Sequence, residues 1–511
     1  MADIQREIER KYEATDPDAG APALPDLTTV RGVHAAVPRG THDLDAVYYD
    51  TADQRLARHA VTLRRRTGGT DAGWHLKLPV TEDVRDEIHA PLSPAVPRTL
   101  LALTRSRTRG AALVPVVRLR SARDLVHLLD ADGTLLAEVS VDTVRADRLT
   151  DGDATTGWTE IEVELAPDRD PALLDALDKR LRKAGLRRSA SASKLARALA
   201  ETAPHPPPAT APPDPHRGTA AEPVLAYLTA QRDALVLLDP AVRLGTHDSV
   251  HRMRVATRRA RSTFRSYSRV LDRTATDHLA AELKWLAGEL GVDRDAEVLT
   301  ERLTGHFAEL PRPHLVGPVR TRLRTWANAR RGGSRRRLAA LLNSRRYLAL
   351  LDSLDALIAR PPLRPAAAKD PAKAIHRAAR KDFDRLADLI EEAFRQPAGP
   401  ARDQALHEAR KKAKRLRYAA EAALDTLGGP AKRAIRGAKD LQDLLGEHQD
   451  SYMTRLTLRE LAAQAHAAGE SSFTYGLVYG HEESRAARYE AELPAAWEAA
   501  ERATRALRGT R

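Results

Sequence analysis

Two short segments of the chain carry carboxylates on every second residue. Glu7 and Glu9 are separated by one residue and are followed by Lys11, and three more glutamates repeat the spacing at positions 160, 162 and 164. Side chains two residues apart in a strand point to the same face, so each group presents its carboxylates together. Clustered carboxylate oxygens suit a hard divalent cation, Mg²⁺ or Mn²⁺.

Other segments place cations on one strand face in the same way. Arg64 and Arg66 share a face, as do His75 and Lys77, and Arg85 lies two residues before a glutamate. Guanidinium and ammonium groups can clamp a chain of phosphates. Combined with a metal, which offsets charge on phosphate oxygens, such a site would suit in-line attack by water on phosphorus.

The segments that carry these residues alternate charged and apolar positions and are separated by turn signals such as Thr67-Gly68-Gly69. This pattern predicts antiparallel strands with a few helices. An open sheet would turn the charges towards water. A closed barrel with its apolar face outward would instead turn them into the lumen. Carboxylates gather on the first and last strands and cations on the middle ones, which favours the barrel.

The first 200 residues resemble the CYTH domain, also called the triphosphate tunnel metalloenzyme fold. The resemblance starts at Glu7-Ile-Glu9-Arg-Lys11 and continues through Leu63-Arg-Arg-Arg66, Leu76-Lys-Leu-Pro79, Arg85-Asp-Glu87, the glutamate strand at 160–164 and Ser193-Lys194. It implies an eight-stranded antiparallel tunnel that cleaves or cyclises triphosphate-containing substrates with Mg²⁺ or Mn²⁺. Ala122 departs from the family, which usually has a denser basic cluster there.

The resemblance also implies roles for individual residues. Glu9 and Lys11 are the expected catalytic residues, Lys11 or a neighbouring carboxylate assisting proton transfer. The implied metal ligands are Glu7, Glu9, Glu160, Glu162 and Glu164. The implied phosphate-binding residues are Lys11, Arg64, Arg66, Lys77, Arg85, Arg120, Arg123 and Lys194.

The second half of the chain carries a basic stripe at helical spacing. Positions 247, 251, 254, 258, 261 and 265 follow steps of three and four residues and hold only histidine and arginine. A second copy, offset by 156, starts at His407. Solvated helix faces usually mix charges of both signs. A repeated stripe of one sign therefore indicates an anionic partner. A metal held by His247 and His251 is an alternative, but no nearby carboxylates complete a site.

Aromatic residues do not interleave with these cations, which disfavours stacking on nucleic-acid bases. The stripes resemble the CHAD domain, the conserved-histidine α-helical domain, in both copies over about residues 222–505. The resemblance implies a pair of related four-helix bundles that bind inorganic polyphosphate. The implied binding residues are His251, Arg254, Arg258, Arg261, Lys284, His407, Arg410, Lys414, Arg417 and Lys439.

Composition separates the two halves. Residues 1–200 hold 30 Lys and Arg against 31 Asp and Glu, whereas residues 201–511 hold 53 against 39, so the net charge of +13 lies in the second half. The chain has no cysteine, which excludes disulfides and thiolate chemistry.

Seven prolines in residues 201–217 indicate an extended linker. We therefore predict an α+β multi-domain protein: a tunnel domain with flanking helices at 1–200, a linker at 201–221 and a duplicated all-α four-helix bundle at 222–507.

These observations predict a metal-dependent triphosphatase, acting on tripolyphosphate or a related triphosphate, with a helical domain that binds long-chain polyphosphate. Three alternatives stay open: a non-catalytic polyphosphate-binding protein, an adenylate cyclase and a helical domain that binds duplex DNA. The sequence has no apolar run long enough for a signal peptide or a membrane span. We expect a cytoplasmic protein without a membrane partner, with polyphosphate granules as an alternative location.

Overall fold

The computed structural model of the chain describes residues 3–14, 24–150, 152–203, 215–331 and 334–509. The side chains of residues 3, 292–295 and 331–335 are outside this description, as is most of the proline-rich linker, residues 204–214. The chain divides into two compact units, residues 1–211 and 212–511. Among the described helices, none combines the length and hydropathy that a bilayer span requires.

The first unit is built around one antiparallel sheet that closes on itself. The strands are β1 Asp3–Ala14, β2 Ala35–Asp50, β3 Thr62–Thr67, β4 Gly73–Pro79, β5 Val84–Ala90, β6 Val114–Leu129, β7 Leu135–Arg148, β8 Thr155–Leu165 and β9 Leu186–Arg188. Hydrogen-bonded strands follow one another in the order β5-β4-β3-β2-β6-β7-β8-β1, and β5 also pairs with β1. The prediction of an eight-stranded antiparallel tunnel is therefore confirmed, and the short strand β9 pairs with the end of β1.

Alternation along the strands gives the barrel two chemically different faces. The apolar residues point outward, where Ile161 and Val163 of β8 pack in one core with Tyr12 of β1. This outer core is completed by Leu174 and Leu177 from helix α2, which spans Ala172–Lys183. The charged pairs Glu7 and Glu9, Arg64 and Arg66, and Glu162 and Glu164 are left on the inner face, as the closed-barrel interpretation predicts.

A helix fills one end of the barrel. On β6 and β7 the inner face changes from charged residues to apolar ones, including Leu119 and Val144. Helix α3, Lys194–Glu201, packs Leu195 and Leu199 against these residues. Arg148 anchors the end of this helix by donating from Nη1 to the carbonyl of Leu199 at 3.4 Å. The polar lumen is thereby confined to the rest of the barrel. One further helix of this unit, α1, spans Arg98–Thr108.

The second unit contains only helices and short turns among its described residues, as predicted. The helices are α4 Ala221–Leu244, α5 Ser249–Ser266, α6 Arg273–Glu289, α7 Val292–Glu309, α8 Val319–Arg331, α9 Ser334–Asn343, α10 Arg345–Ala359, α11 Pro371–Arg395, α12 Pro400–Ala422, α13 Leu424–Leu427, α14 Gly429–Ala467 and α15 Phe473–Arg508.

The internal repeat appears as two sets of four helical columns. Helices α4 and α5 correspond to α11 and α12. The long helix α14 corresponds to α6 and α7 together in the first copy, and α15 corresponds to α8, α9 and α10 together. The two copies meet where α5 crosses α12, and there the hydroxyl of Tyr267 donates to the carbonyl of Ala419 at 3.0 Å. The two basic helices are therefore neighbours at the centre of the helical unit.

Candidate functional site

The barrel encloses a cavity of about 570 Å³ lined mainly by charged side chains. Strands β1, β3, β4, β5, β6 and β8 and the first residue of α3 all contribute. Eleven of the residues predicted from the sequence line it: Glu7, Glu9, Lys11, Arg64, Arg66, Lys77, Arg85, Arg123, Glu162, Glu164 and Lys194. The structure therefore brings together side chains that are up to 187 positions apart in the chain.

Two of the lumen carboxylates are difficult to ionise because they are buried. Glu164 of β8 lies opposite Glu9 of β1 in the strand register. Burial raises the pKa of Glu7 to about 8, against the attraction of Lys77. Burial also raises the pKa of Glu164 to about 7, again against Lys77 and with help from Glu9 and Glu162. A further positive charge beside these two carboxylates would therefore favour their ionised forms.

Glu9 lies between two ammonium groups. Its carboxylate is 3.4 Å from Nζ of Lys11 and 3.8 Å from Nζ of Lys77. Burial opposes its ionisation, but these two lysines outweigh burial and hold the pKa of Glu9 at about 2. Lys77 also lies 2.5 Å from Glu7. Despite burial, their carboxylate neighbours raise the pKa of both lysines. Both ammonium groups therefore stay charged at neutral pH.

Lys194 forms the most enclosed ion cluster of the lumen. Ser193 caps α3 by accepting from the amide of Ala196 at 3.1 Å, which fixes where the helix begins. Nζ of Lys194 then lies 2.9 Å from Asp142, 2.8 Å from Glu160 and 2.7 Å from Glu162. Helix α3 thus fills one end of the barrel and places a cation among three carboxylates.

Three arginines face the lumen from β3 and β6. Arg123 forms a two-pronged pair with Asp142, both nitrogen–oxygen distances being 2.7 Å, and reaches Glu162 at 2.9 Å. Arg64 donates to the hydroxyl of Tyr48 at 3.3 Å. Burial and the charges of Arg64 and Arg123 lower the pKa of Arg66 to about 9. Arg66 pairs with Asp71, which also lines the cavity, and an incoming anion would stabilise its charged form further.

Glu87 is a central residue that the sequence-based site omitted. It lies 3.0 Å from Nδ1 of His75, 3.7 Å from Arg64 and 4.0 Å from Lys77. Burial lowers the pKa of His75 to about 4, although the neighbouring carboxylate of Glu87 opposes this shift. The sequence signal was present, because Glu87 shares a strand face with Arg85. Tyr48 and Asp142 also belong to the site, and nothing in the spacing of charged residues points to Tyr48.

Two predicted residues are placed elsewhere. Arg120 lies on the outer face of β6, about half exposed, and pairs there with Asp147. It is three positions from Arg123, so the two side chains point to opposite faces, and Arg120 does not reach the lumen. Glu160 is buried behind the cavity, where Trp158 Nε1 donates to it at 2.6 Å. Its carboxylate lies beside Lys194, together with those of Asp142 and Glu162.

The lumen suits a hard cation on the chemistry of its donors. Asp142, Glu160 and Glu162 have oxygens within 4.8 Å of one another, but Nζ of Lys194 lies within 2.9 Å of an oxygen of each. Burial raises the pKa values of Glu7 and Glu164, and a bound cation would favour their ionised forms. Glu7 and Glu164, with Glu9 beside them, are therefore candidate ligands for a divalent cation, as are the carboxylates around Lys194.

The helical unit forms a second cationic site where α5 crosses α12. We call it the basic furrow and define it by six residues: Arg254, Arg258, Arg261, Arg410, Lys414 and Arg417. Burial, together with repulsion from Arg410 and Arg258, lowers the pKa of Lys414 to about 7. Burial and neighbouring arginines also lower the pKa of Arg258 and Arg261. The two stripes predicted from the sequence are thus brought together and repel one another.

Glycines make room for two of the furrow's arginines. A Cβ on Gly291 would lie 2.8 Å from Nη2 of Arg254, and a Cβ on Gly446 would lie 3.1 Å from Nη2 of Arg410. The two glycines occupy equivalent positions in the two copies, at an offset of 155. Each guanidinium therefore lies against a glycine, and a side chain there would have to push it aside.

The other predicted residues of the helical site lie around the furrow. His251 and His407 are partly buried near its ends, and burial lowers the pKa of His407. Lys284 and Lys439 are exposed, and Lys439 pairs with Asp443 at 2.6 Å. His247 is exposed and precedes α5, which begins at Ser249, so the helical stripe is shorter than the spacing indicated.

The fold and site together define the class of protein: a triphosphate tunnel domain followed by a helical domain with a central basic furrow. The model of the CYTH domain matches residues 5–199, and the model of the CHAD domain matches residues 226–459. The chain belongs to the family of proteins in which a CYTH domain is followed by a CHAD domain. CYTH proteins are triphosphate tunnel metalloenzymes, some of them triphosphatases and some cyclases.

Two curated relatives span nearly the whole chain. They are the uncharacterized proteins Rv2226 and MT2285 from two strains of Mycobacterium tuberculosis, each 38% identical over 518 residues and 98% of both chains. Similar solved structures include PptA from Streptomyces chartreusis, with 20% identity and a TM-score of 0.46 over 55% of this chain and 99% of that one. The CHAD domain of Ricinus communis has 24% identity and a TM-score of 0.42 over 60% and 98%.

Proposed function

We propose that the tunnel hydrolyses inorganic tripolyphosphate or a related triphosphate with a divalent cation, and that the helical unit binds inorganic polyphosphate. The observation that supports this most is the lumen itself. Carboxylates with raised pKa values lie beside a wall of lysines and arginines in one enclosed cavity. The first feature suits a metal and the second suits a short chain of phosphates.

In the tunnel, each group of residues has a separate task. Glu7, Glu9 and Glu164 would hold Mg²⁺ or Mn²⁺, which supplies charge to offset that on the phosphate oxygens. Arg64, Arg66 and Arg123 would bind and orient the phosphates, and binding would relieve the repulsion among them. Lys11 stays protonated because its carboxylate neighbours raise its pKa, so it would stabilise charge rather than act as a base.

A carboxylate is the better candidate for accepting a proton from the attacking water. Glu7 and Glu164 would both be ionised once the cation is bound, so their uncoordinated oxygens would be available to accept this proton. Inorganic substrates are favoured because Tyr48 is the one aromatic ring besides imidazoles among the described lining residues, and its hydroxyl is engaged by Arg64. A nucleobase would find little to stack on.

The test is turnover by the full chain with Mn²⁺ or Mg²⁺. Tripolyphosphate should release phosphate, and Glu9→Gln should lower the rate by roughly 10²-fold or more, because the carboxylate between the two lysines is lost. Glu82→Gln, at an exposed carboxylate, is the matched control and should leave the rate unchanged. No phosphate release by the unmodified chain, or a normal rate in Glu9→Gln, would refute the proposal. Conversion of ATP to a cyclic product would favour a cyclase instead.

The helical proposal has its own test through Lys414. The pKa of this buried lysine is about 7, and a bound polyanion would keep it protonated. Affinity for long-chain polyphosphate should therefore fall as the pH rises from 6 to 8.5, because binding then requires proton uptake. Lys414→Arg should flatten this dependence, since arginine stays charged. A pH-independent affinity in the unmodified chain, or stronger retention of duplex DNA than of polyphosphate, would contradict the proposal.

A further inference from the structure

The two copies that form the basic furrow do not carry the same charges throughout. The offset of 156 relates Arg254 to Arg410, Arg258 to Lys414 and Arg261 to Arg417, so the cations of the furrow itself are preserved. The adjacent contact between α5 and α12 is different. Arg259 corresponds to Arg415, but Glu421 corresponds to Arg265. The oppositely charged residues Arg259 and Glu421 on one side of the crossing therefore correspond to two like charges, Arg415 and Arg265, on the other side.

The side that contains Glu421 is neutralised. Nε of Arg259 lies 2.8 Å from this carboxylate, and the hydroxyl of Tyr227 donates to it at 2.6 Å. Arg417, at the edge of the furrow, also reaches it at 3.4 Å. An anion would find little free positive charge on this side.

The opposite side carries five cations. Arg415 of α12 lies near Arg265 of α5, Lys412 of α12 lies near Arg415, and α11 adds Lys381 and Arg385. Burial lowers the pKa of Arg415 against the attraction of Asp382, and repulsion from Arg265 and Arg385 adds to the lowering. The pKa values of Lys381 and Lys412 are also lowered by burial and by these arginines.

The acidic groups near these cations do not balance them. Asp382 is buried beneath them and is bonded by the hydroxyl of Ser266. Glu408, the other acid beside Lys412, is paired with Lys411 at 2.6 Å. Arg265 and Arg385 are exposed and the other three cations are partly exposed. The cations are therefore in excess and open to a ligand.

Arg261 joins this cluster to the furrow. It interacts electrostatically with Arg258 on the furrow side and with Arg265 and Arg415 on the other. We propose that Arg265, Lys381, Arg385, Lys412 and Arg415 form a one-sided phosphate-binding patch, over which a polyphosphate chain longer than the furrow extends. The inference rests on the proposed function of the helical unit. It makes binding directional, because a chain gains contacts by leaving the furrow on one side only.

The pseudo-symmetry supplies the test. Arg265→Glu installs the acid that the other copy has, so it should form an ion pair with Arg415 and raise the melting temperature of the full chain. The same variant removes one positive charge from the patch and adds a negative one, which lowers its net charge by two. With chelator present, we expect its affinity for long-chain polyphosphate to fall roughly tenfold at low salt, with a shallower salt dependence. Binding of tripolyphosphate should not change, because every variant carries the same tunnel.

Arg395→Glu is the control, since it makes the same change of charge at an exposed position further along α11. It should bind long chains as the unmodified chain does. Equal losses in both variants, or no loss in Arg265→Glu, would overturn the patch while leaving the polyphosphate proposal intact. A melting temperature that does not rise in Arg265→Glu would refute the contact with Arg415. Failure of the unmodified chain to bind polyphosphate at all would instead refute the proposed function.

Discussion

Replacing Lys194 by alanine tests whether the lumen is held together by its ion pairs. At an effective dielectric constant of about 20, each of its three contacts with Asp142, Glu160 and Glu162 represents roughly 6 kcal/mol of attraction. Most of this is offset by the cost of burying the ammonium group. Removing one partner from a buried pair typically costs about 3–5 kcal/mol, because the remaining charge is left uncompensated.

The structure favours the lower end of that range. Asp142 and Glu162 keep Arg123 at 2.7 and 2.9 Å, whereas Glu160 is left with the indole of Trp158 alone. We therefore expect Lys194→Ala to destabilise the tunnel unit by about 3 kcal/mol, a fall of roughly 10 °C in its melting temperature. Hydrogen exchange of residues 155–165 during urea unfolding would assign the loss to this unit.

Two further measurements separate charge from packing. Adding Glu160→Gln should restore at least half of the lost stability, because it removes the uncompensated carboxylate. The loss should be constant between about pH 6 and 9 and shrink in acid. In this range Lys194, whose pKa is raised, is charged, and the pKa values of Asp142 and Glu162 are lowered. A loss below about 1 kcal/mol, similar to that of the exposed control Lys183→Ala, would refute the reasoning.

Two other predictions concern the metal and the furrow. Because Glu7 and Glu164 have pKa values of about 8 and 7, Mn²⁺ must displace up to two protons, and its affinity by calorimetry should rise up to about 100-fold per pH unit below pH 7 and level off above about pH 8.5. Glu7→Gln should reduce that slope to one proton, and an affinity that does not vary with pH would contradict the assignment. Gly446→Leu should weaken polyphosphate binding roughly tenfold, because its side chain extends past a Cβ that would already lie 3.1 Å from Nη2 of Arg410 and so displaces that guanidinium. Gly480→Leu, where a Cβ meets nothing within 4 Å, should bind normally, and equal binding by both variants would show that the glycine is not needed.

Strand alternation made most of the tunnel readable from the sequence. Each pair of charged residues two positions apart shares the inner face, and closure of the sheet then brings the pairs together. The same rule, applied strictly, separates Arg120 from Arg123, which lie on opposite faces of β6. Alternation does not give depth along the barrel. It therefore could not tell that Glu160 lies below the cavity, next to the helix that fills the barrel.

The helical unit shows a different limit. A spacing of three and four residues identified the basic stripes on α5 and α12, and the repeat identified their relationship. The crossing of the two helices depends on contacts between distant residues, such as Tyr267 with Ala419, which local spacing does not encode. For the same reason the pairing of Arg259 with Glu421 could not be foreseen, although both residues are visible in the sequence.

Helix α3 has a consequence for how a long chain could be shortened. Since this helix occupies one end of the barrel, a linear polymer must enter by the opposite mouth and can offer only its terminus to the glutamates and lysines inside. The released phosphate fragment must leave through the same mouth by which the polymer entered. Release of the small fragment would then compete with re-entry of the polymer, so trimming from the end should proceed in separate encounters and slow as the released phosphate accumulates.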